Sequence, residues 1–246
     1  MESQMNTHPI NRYPFIAIAL VALVSLASVD MAYGAETDDP LLTKVMIDEF
    51  ENDLSSNSTT SWGAQAWIGY DLNKFWIKTE GEYSGGDVID AEVQALYSLA
   101  IAPYWDLQMG LRRDLKPSPS RDWAVLGIQG LAPYFFEIDA ALYVGKEGRT
   151  AVSFSSEYEL LITQKLILTP EIEMNFYGQN DPDVGIGSGL SDFGAGLRLR
   201  YEIVREFAPY IGVNWSKKFG NTADYARDEG EEDSETQFVV GFRSWF

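Results

Sequence analysis

The chain has 246 residues, of which 37 are Asp or Glu and 18 are Lys or Arg, so its formal net charge is −19. A chain this acidic repels a phosphate backbone, which excludes nucleic acid as a partner. It contains no Cys, and therefore no disulfide framework, and its one His is His8.

An apolar segment near the N-terminus predicts export. Residues 15–29 read FIAIALVALVSLASV, follow Arg12 and precede the small residues of Ala32-Tyr33-Gly34. A short apolar core with this ending is typical of a cleaved secretory signal peptide. We therefore predict a signal peptide over residues 1–34 and a folded part over residues 35–246, with a retained membrane anchor as the alternative.

Twelve later segments alternate apolar and polar side chains with a period of two, which predicts β-strands. The alternation is weakest in the first segment, so ten strands are an alternative count. In chain order the segments are residues 42–50, 61–70, 74–83, 91–99, 105–112, 123–131, 136–144, 152–162, 166–176, 193–203, 208–215 and 236–246.

The connections between these segments alternate in length. Short turns at residues 71–73, 102–104, 132–134, 163–165 and 204–208 are separated by longer polar loops. Outer-membrane barrels have this asymmetry, with short periplasmic turns and longer outer loops. The sequence therefore predicts an all-β fold, a transmembrane antiparallel up-and-down β-barrel of about 12 strands in the cell outer membrane.

Aromatic residues near the segment ends support the membrane assignment, because Tyr and Trp favour the two membrane interfaces. The alternative is a soluble lipocalin-like barrel or sandwich, which would bury its apolar faces inward. The aromatic residues concerned are Tyr70, Tyr104, Trp105, Tyr134, Trp215 and Phe246.

The last segment, TQFVVGFRSWF, is the clearest of the twelve. Its length suits a tilted strand that crosses a bilayer, which needs about 9 to 11 residues. It ends on Phe246, and a terminal aromatic residue resembles the C-terminal signal of bacterial outer-membrane barrels. That resemblance implies that the outer-membrane assembly machinery contacts Phe246.

If the apolar faces contact lipid, the polar faces line the lumen, where carboxylates outnumber Lys and Arg. Glu80, Glu82 and Glu92 lie on two adjacent segments around one hairpin. We therefore predict that they lie near one another and form a weak cation site, their repulsion offset by Lys78, Arg112 or a bound cation. The alternative is a self-satisfying network of ion pairs that fills the lumen.

Other candidate sites are weaker. The acidic loop at residues 228–235 could collect divalent cations, although a solvated loop explains it as well. Serine-nucleophile and zinc sites normally recruit a His, and none is left after removal of the signal peptide. We therefore do not predict an enzyme.

Four runs of sequence resemble the copper-resistance protein B family of outer-membrane proteins. They are EVQALYSLAIAPYWDLQMGLRRDLKP, GIQGLAPYFFEIDAALYVG, LTPEIEMNFYGQNDPDVGIGSGLSD and REFAPYIGVNWSKKFGNTADYAR, and the match covers nearly all of the predicted mature chain. The resemblance implies an outer-membrane barrel associated with copper tolerance and a copper ion as its cargo.

The soft donors that copper(I) prefers are few in the predicted mature chain. They are Met46, Met109 and Met174, and the last two fall on lipid-facing sides. We therefore expect the barrel to bind or pass copper or other divalent cations through oxygen ligands, in contact with outer-membrane lipids. The alternative is a general narrow porin or a structural barrel without specific metal binding.

Overall fold

The computed structural model describes residues 39–54 and 59–246, and the predicted signal peptide lies outside these ranges. Most described residues belong to β-strands. In chain order the strands are β1 Leu42–Asp53, β2 Thr60–Gly69, β3 Asn73–Ser84, β4 Asp87–Ala102, β5 Trp105–Lys116, β6 Arg121–Ala132, β7 Phe136–Gly145, β8 Thr150–Tyr158 with its continuation Leu160–Leu161, β9 Leu166–Tyr177, β10 Gly189–Tyr201, β11 Phe207–Lys218 and β12 Ser234–Trp245.

The twelve strands close into a barrel. Each strand pairs antiparallel with its neighbours in sequence, and β12 pairs antiparallel with β1. The last residue takes part in this seam, because the backbone N–H of Phe246 donates to the carbonyl of Val45 at 2.8 Å and the Phe246 carbonyl accepts from the Val45 N–H at 3.0 Å. The predicted twelve-stranded up-and-down barrel is confirmed, and the ten-strand alternative is wrong.

The apolar side of each strand faces outward. On β5, for example, Leu111 is 67% exposed, whereas Gln108 on the other side is 2% exposed. The same alternation holds on β4, where Tyr97 is exposed and Ser98 is buried. A soluble barrel would show the reverse, so the soluble alternative is also wrong.

A bulge explains the poor alternation of β1. The register with β2 shifts between Ile47 and Glu49, which leaves Asp48 as an extra residue. Met46 packs against the interior apolar cluster before the bulge, and Glu51 is buried inside the barrel after it. An extra residue moves the following side chains to the opposite face of the strand. The period of two is therefore interrupted in a strand that is otherwise regular.

Two connections differ from the predicted ones. The loop expected at residues 84–90 is a two-residue turn, in which Gly85 and Gly86 both have positive φ, as this kind of hairpin requires. The long loop before β12 contains a helix, α1 (Gly220–Asp228), that the alternation analysis did not predict. In the described residues, no helix is both long enough and apolar enough to cross a membrane.

Candidate functional site

The interior of the barrel carries charged side chains that join strands which are not neighbours. Lys78 on β3 contacts Asp139 on β7 at 3.0 Å. Arg243 on β12 lies 3.4 Å from Glu157 on β8. Such pairs cross part of the lumen, and they join stretches of the barrel wall that are four strands apart.

Arg198 forms the densest of these groups. Its guanidinium donates to Glu49 at 3.0 Å and to Glu51 at 3.1 and 3.2 Å, and it also contacts Glu171. Glu51 is 3% exposed and also accepts hydrogen bonds from the Tyr210 hydroxyl and the Asn214 amide. One arginine is therefore the shared counter-charge of three carboxylates.

An apolar cluster lies inside the barrel along β3 to β8. Trp67 of β2, Met46 of β1 and Tyr177 of β9 pack against it from the adjoining walls. Together with the ion pairs, this cluster fills part of the cross-section with side chains. Its buried members are Trp76, Leu96, Trp123, Val125, Ala141, Tyr143 and Ala151.

The structure brings two of the three predicted site carboxylates directly opposite each other. Glu80 on β3 and Glu92 on β4 are cross-strand partners, whereas Glu82 lies two positions nearer the outer hairpin and faces Asp90. Glu173, from β9, lies close enough to repel Glu80 and Glu92 electrostatically. The lumen beside the β3–β4 hairpin is therefore acidic.

Cationic partners are unevenly shared among these carboxylates. Arg112 contacts Glu92 at 2.5 Å, and the amide of Gln94 donates to the same carboxylate at 2.7 Å. Lys78, the other predicted counter-charge, turns instead to Asp139 and Gln108. Within the described ranges, the carboxylates of Glu80 and Glu82 make no hydrogen bond or ion pair, and both side chains are exposed to the lumen.

The donors near this acidic surface are oxygen atoms. In residues 39–54 and 59–246, no three Asp, Glu, His or Cys side chains converge closely enough to hold a metal ion in a closed site. Of the thioethers, Met109 is exposed on the outer face, as predicted, and Met46 packs against the apolar cluster inside the barrel. The metal site at Glu80, Glu82 and Glu92 stays a prediction.

Two long loops, residues 178–188 and 219–233, form a folded cap at the outer end of the barrel. Asp181 accepts two hydrogen bonds of 2.8 Å from Arg121 at the start of β6, and Arg149 lies 3.1 Å away. The loop is joined to α1, since the Gly187 N–H donates to the Thr222 hydroxyl at 2.8 Å. Arg121, Asp181 and Arg149 also border a cavity of about 70 Å³ at this end.

Two neighbouring arginines keep the carboxylate of Asp181 ionised. The hydrogen bonds from Arg121, with the further attraction of Arg149, hold the pKa of Asp181 below its usual range. This carboxylate is 8% exposed and ionised at neutral pH, so it contributes a charge-assisted link between the loop and the rim.

Sequence reasoning missed two parts of this arrangement. Asp90 falls in the expected loop, although the Gly85-Gly86 signal for a two-residue turn places it in β4. Its position opposite Glu82 depends on a register shift between Glu82 and Tyr83 that the turn signal does not contain. The pairing of Arg121 with Asp181 joins residues 60 positions apart, and alternation within strands contains no signal for it.

Residues 41–246 match the family described as Copper resistance protein B precursor (CopB). The chain belongs to the copper resistance protein B family. The copper resistance protein B of Escherichia coli is 47% identical to this CopB-family chain over 203 residues, which are 82% of this chain and 69% of that protein. The copper resistance protein B homolog of Pseudomonas syringae pv. tomato (strain ATCC BAA-871 / DC3000) is 43% identical over 215 residues, 87% of this chain and 73% of that protein. The family inferred from sequence resemblance is confirmed.

Solved structures with similar folds are outer-membrane porins. The KdgM porin has a TM-score of 0.52 at 13% identity, over 82% of this chain and 99% of that chain. The NanC porin has a TM-score of 0.54 at 12% identity, with the same coverage of both chains. At this identity the likeness concerns the fold alone. Together with the family and the outward apolar faces, it confirms that this CopB-family chain is an outer-membrane β-barrel.

Proposed function

We propose that this CopB-family barrel contributes to copper tolerance by binding or passing copper ions at the acidic surface formed by Glu80, Glu82 and Glu92. The family name supports the link to copper. The observation that carries the proposal is that Glu80 and Glu82 face the lumen without a cationic partner within the described residues, beside a Glu92 that has one. A lumen with excess negative charge concentrates cations.

The donor chemistry sets the strength and selectivity that we expect. Carboxylate oxygens bind copper(II) with little preference over other divalent cations, and copper(I) prefers sulfur. The open arrangement of Glu80 opposite Glu92, with Glu82 two positions away, suits brief contacts rather than permanent chelation. We therefore expect weak binding of copper(II) that zinc and calcium share.

Several further properties belong to the same proposal. Residues 1–34 would direct export, Phe246 would be recognised by the assembly machinery, and the outward apolar faces would contact outer-membrane lipids. We assign no catalysis, because the carboxylate pairs of the lumen are engaged in ion pairs or aligned along the wall.

A second candidate function is a narrow porin or structural barrel without specific metal binding. The cross-lumen pairs of Lys78 with Asp139 and Arg243 with Glu157 favour it, together with the interior apolar cluster, since all of them fill space that an open pore needs.

Replacing all three carboxylates by Gln tests the proposal. E80Q/E82Q/E92Q should lower copper tolerance of cells that carry only this copy and lower cation conductance in planar bilayers, because the negative charge at the site is lost. Arg112 keeps a partner in this variant, since it also contacts Asp114 at 2.6 Å. Heat-modifiable migration on gels checks that the barrel still folds.

The matched control removes the same charge from the short turns at the opposite end of the barrel instead. D71N/E202Q/E206Q changes three carboxylates that form no ion pair within the described residues. It should leave copper tolerance and cation conductance unchanged. A folded lumen variant with the copper tolerance and conductance of the parent would contradict the proposal.

A further inference from the structure

One basic residue lies among apolar side chains on the lipid-facing side of the barrel. Arg113 of β5 points outward between the exposed residues Leu111 and Leu115, whereas its neighbour Arg112 points into the lumen. The Arg113 side chain is 56% exposed. A charged group on the face that meets lipid is costly, so its position in the membrane needs an explanation.

The depth of Arg113 can be derived from the strand itself. It lies eight residues along β5 from Trp105, which begins the strand at the short-turn end. With a rise of about 3.4 Å per residue and a tilt of about 40°, this distance is about 21 Å along the membrane normal. The outward apolar band of such barrels is about 25 Å tall. The backbone of Arg113 therefore lies just inside the outer edge of the hydrocarbon, from which the long arginine side chain reaches the lipid headgroups.

A second basic residue meets Arg113 at one carboxylate. Asp122 of β6 is the cross-strand partner of Arg113, and its Oδ1 lies 3.5 Å from the Arg113 Nε. Its other oxygen, Oδ2, lies 3.0 Å from the Nζ of Lys146, which is 77% exposed in the loop before β8. The two cations are thus held near each other with one negative charge between them, which leaves a net positive charge at this spot.

The hydrogen-bonding capacity of this pair is largely unused. Within the described chain, the Arg113 guanidinium donates no hydrogen bond, and the Lys146 ammonium donates one, to Asp122. The guanidinium group offers a planar fork of donors that matches phosphate oxygens, and the ammonium group adds further donors. A phosphate group at headgroup level fits both residues.

We propose that Arg113 and Lys146 form a binding site for the phosphate of an anionic lipid in the outer leaflet. Leu111, which lies deeper in the membrane than Arg113 on the same face of β5, would contact the acyl chains of the same lipid, which is why the phosphate is lipid-borne rather than free. The chain has a net charge of −19, so anionic headgroups are repelled by the protein as a whole. A local pair of basic residues on the outer wall offsets that repulsion at one place. This interaction is separate from the lumen carboxylates and does not depend on the proposed copper function.

Asp122 has a definite part in this site. Its carboxylate positions the two cations and also competes with the lipid phosphate for them. Replacement by Asn keeps the size of the side chain and removes the competing charge. D122N should therefore bind the lipid more tightly, whereas a purely structural ion pair would only be weakened by the change.

Binding can be measured on the full chain in neutral detergent micelles. The probes are phosphatidic acid, which carries a phosphate monoester, phosphatidylcholine as a lipid without net charge, and inorganic phosphate. Native mass spectrometry counts bound lipid, and the midpoint of thermal unfolding reports stabilisation by each probe. We expect phosphatidic acid to bind and raise the midpoint, and inorganic phosphate and phosphatidylcholine to do neither.

Variants test the named residues. A basic group near a membrane surface contributes about 1 kcal/mol, or about fivefold, so R113Q/K146Q should weaken phosphatidic acid binding roughly 30-fold. K146Q alone changes only a loop side chain, which keeps the barrel intact, and should weaken it about fivefold. K165Q removes a lysine from a turn at the opposite end of the barrel and should leave binding unchanged.

Four results would overturn the proposal. They are full phosphatidic acid binding by a folded R113Q/K146Q variant, equal loss in K165Q, equal stabilisation by inorganic phosphate, and weaker rather than tighter binding by D122N.

Discussion

At the residue scale, the interior depends on single cations that each serve several carboxylates. Replacing Arg198 by Met should destabilise the barrel by about 3 to 5 kcal/mol, because it leaves Glu49, Glu51 and Glu171 without their shared counter-charge. Urea titration of the protein in lipid vesicles measures this loss of unfolding free energy.

Two comparisons define the cause of that loss. R205M, in the turn before β11, removes a cation outside this group and should cost little. R198M/E51Q removes one of the stranded charges and should recover part of the stability. If R198M is no less stable than R205M, the carboxylates are satisfied by other means.

The period of two was sufficient to assign side chains to the inside or the outside of the barrel. It placed Leu111 and Tyr97 outside and Arg198 and Glu171 inside, as observed, because alternation is a local property of a strand. It could not predict the ion pairs of Arg198 with Glu51 and of Lys78 with Asp139. Those pairs depend on the diameter and stagger of the closed barrel, which local patterns do not contain.

At the element scale, the loop between β9 and β10 is fixed to the rim through Asp181. A carboxyl whose pKa is lower in the folded state contributes stability that is complete above its unfolded pKa and is lost as the pH falls through the folded pKa. The Arg121 hydrogen bonds lower the pKa of Asp181 in this way. At pH 7, D181N should therefore loosen residues 178–188, and the difference from the parent should shrink as the pH falls from about 5.

The rate of proteolytic cleavage within residues 178–188, in detergent micelles over a range of pH, measures this effect. D183N is the matched control, because Asp183 is mostly exposed and comes no nearer than 3.9 Å to Arg121. Cleavage of D181N no faster than D183N at pH 7 would show that the tether is dispensable.

Elements that depend on local turn chemistry were accessible from the sequence, and those that depend on tertiary contacts were not. The Gly85-Gly86 pair carries the signal for a two-residue hairpin. Helix α1 does not carry a comparable signal, since its buried residues Thr222, Ala223 and Ala226 are small and pack on the neighbouring loop. The bulge at Asp48 likewise depends on pairing with two partner strands.

At the scale of the whole molecule, the seam between β1 and β12 decides whether the sheet closes. Deleting Phe246 removes both of its backbone hydrogen bonds with Val45 and the terminal aromatic side chain. The deletion should slow insertion into the membrane and leave protease-sensitive protein in the periplasm. Heat-modifiable migration and protease digestion of cell fractions measure folded and unfolded protein.

The substitution F246A separates the two contributions, because it keeps the backbone bonds and removes only the side chain. Assembly of the deletion variant at the parental rate would contradict a role for the terminal residue. The number of strands and the closure itself were predictable, because twelve alternating segments with short turns have few other ways to satisfy their edges in a membrane.

The seven tryptophans are distributed so that their fluorescence can report separately on the lumen and on the surrounding lipid. Three indoles emit from inside the cylinder, where lipid-soluble quenchers cannot collide with them, and three emit from the outward sides of their strands. Brominated acyl chains would therefore dim the second group, while a quencher dissolved in water and admitted to the lumen would dim the first. Quenching of tryptophan fluorescence thus distinguishes solutes that enter the lumen from lipids that surround the barrel. The inner group is Trp67, Trp76 and Trp123, and the outer group is Trp62, Trp105 and Trp215. Trp245 belongs to neither group, because it lies on the inward side of β12 at the short-turn end of the barrel, opposite Met46.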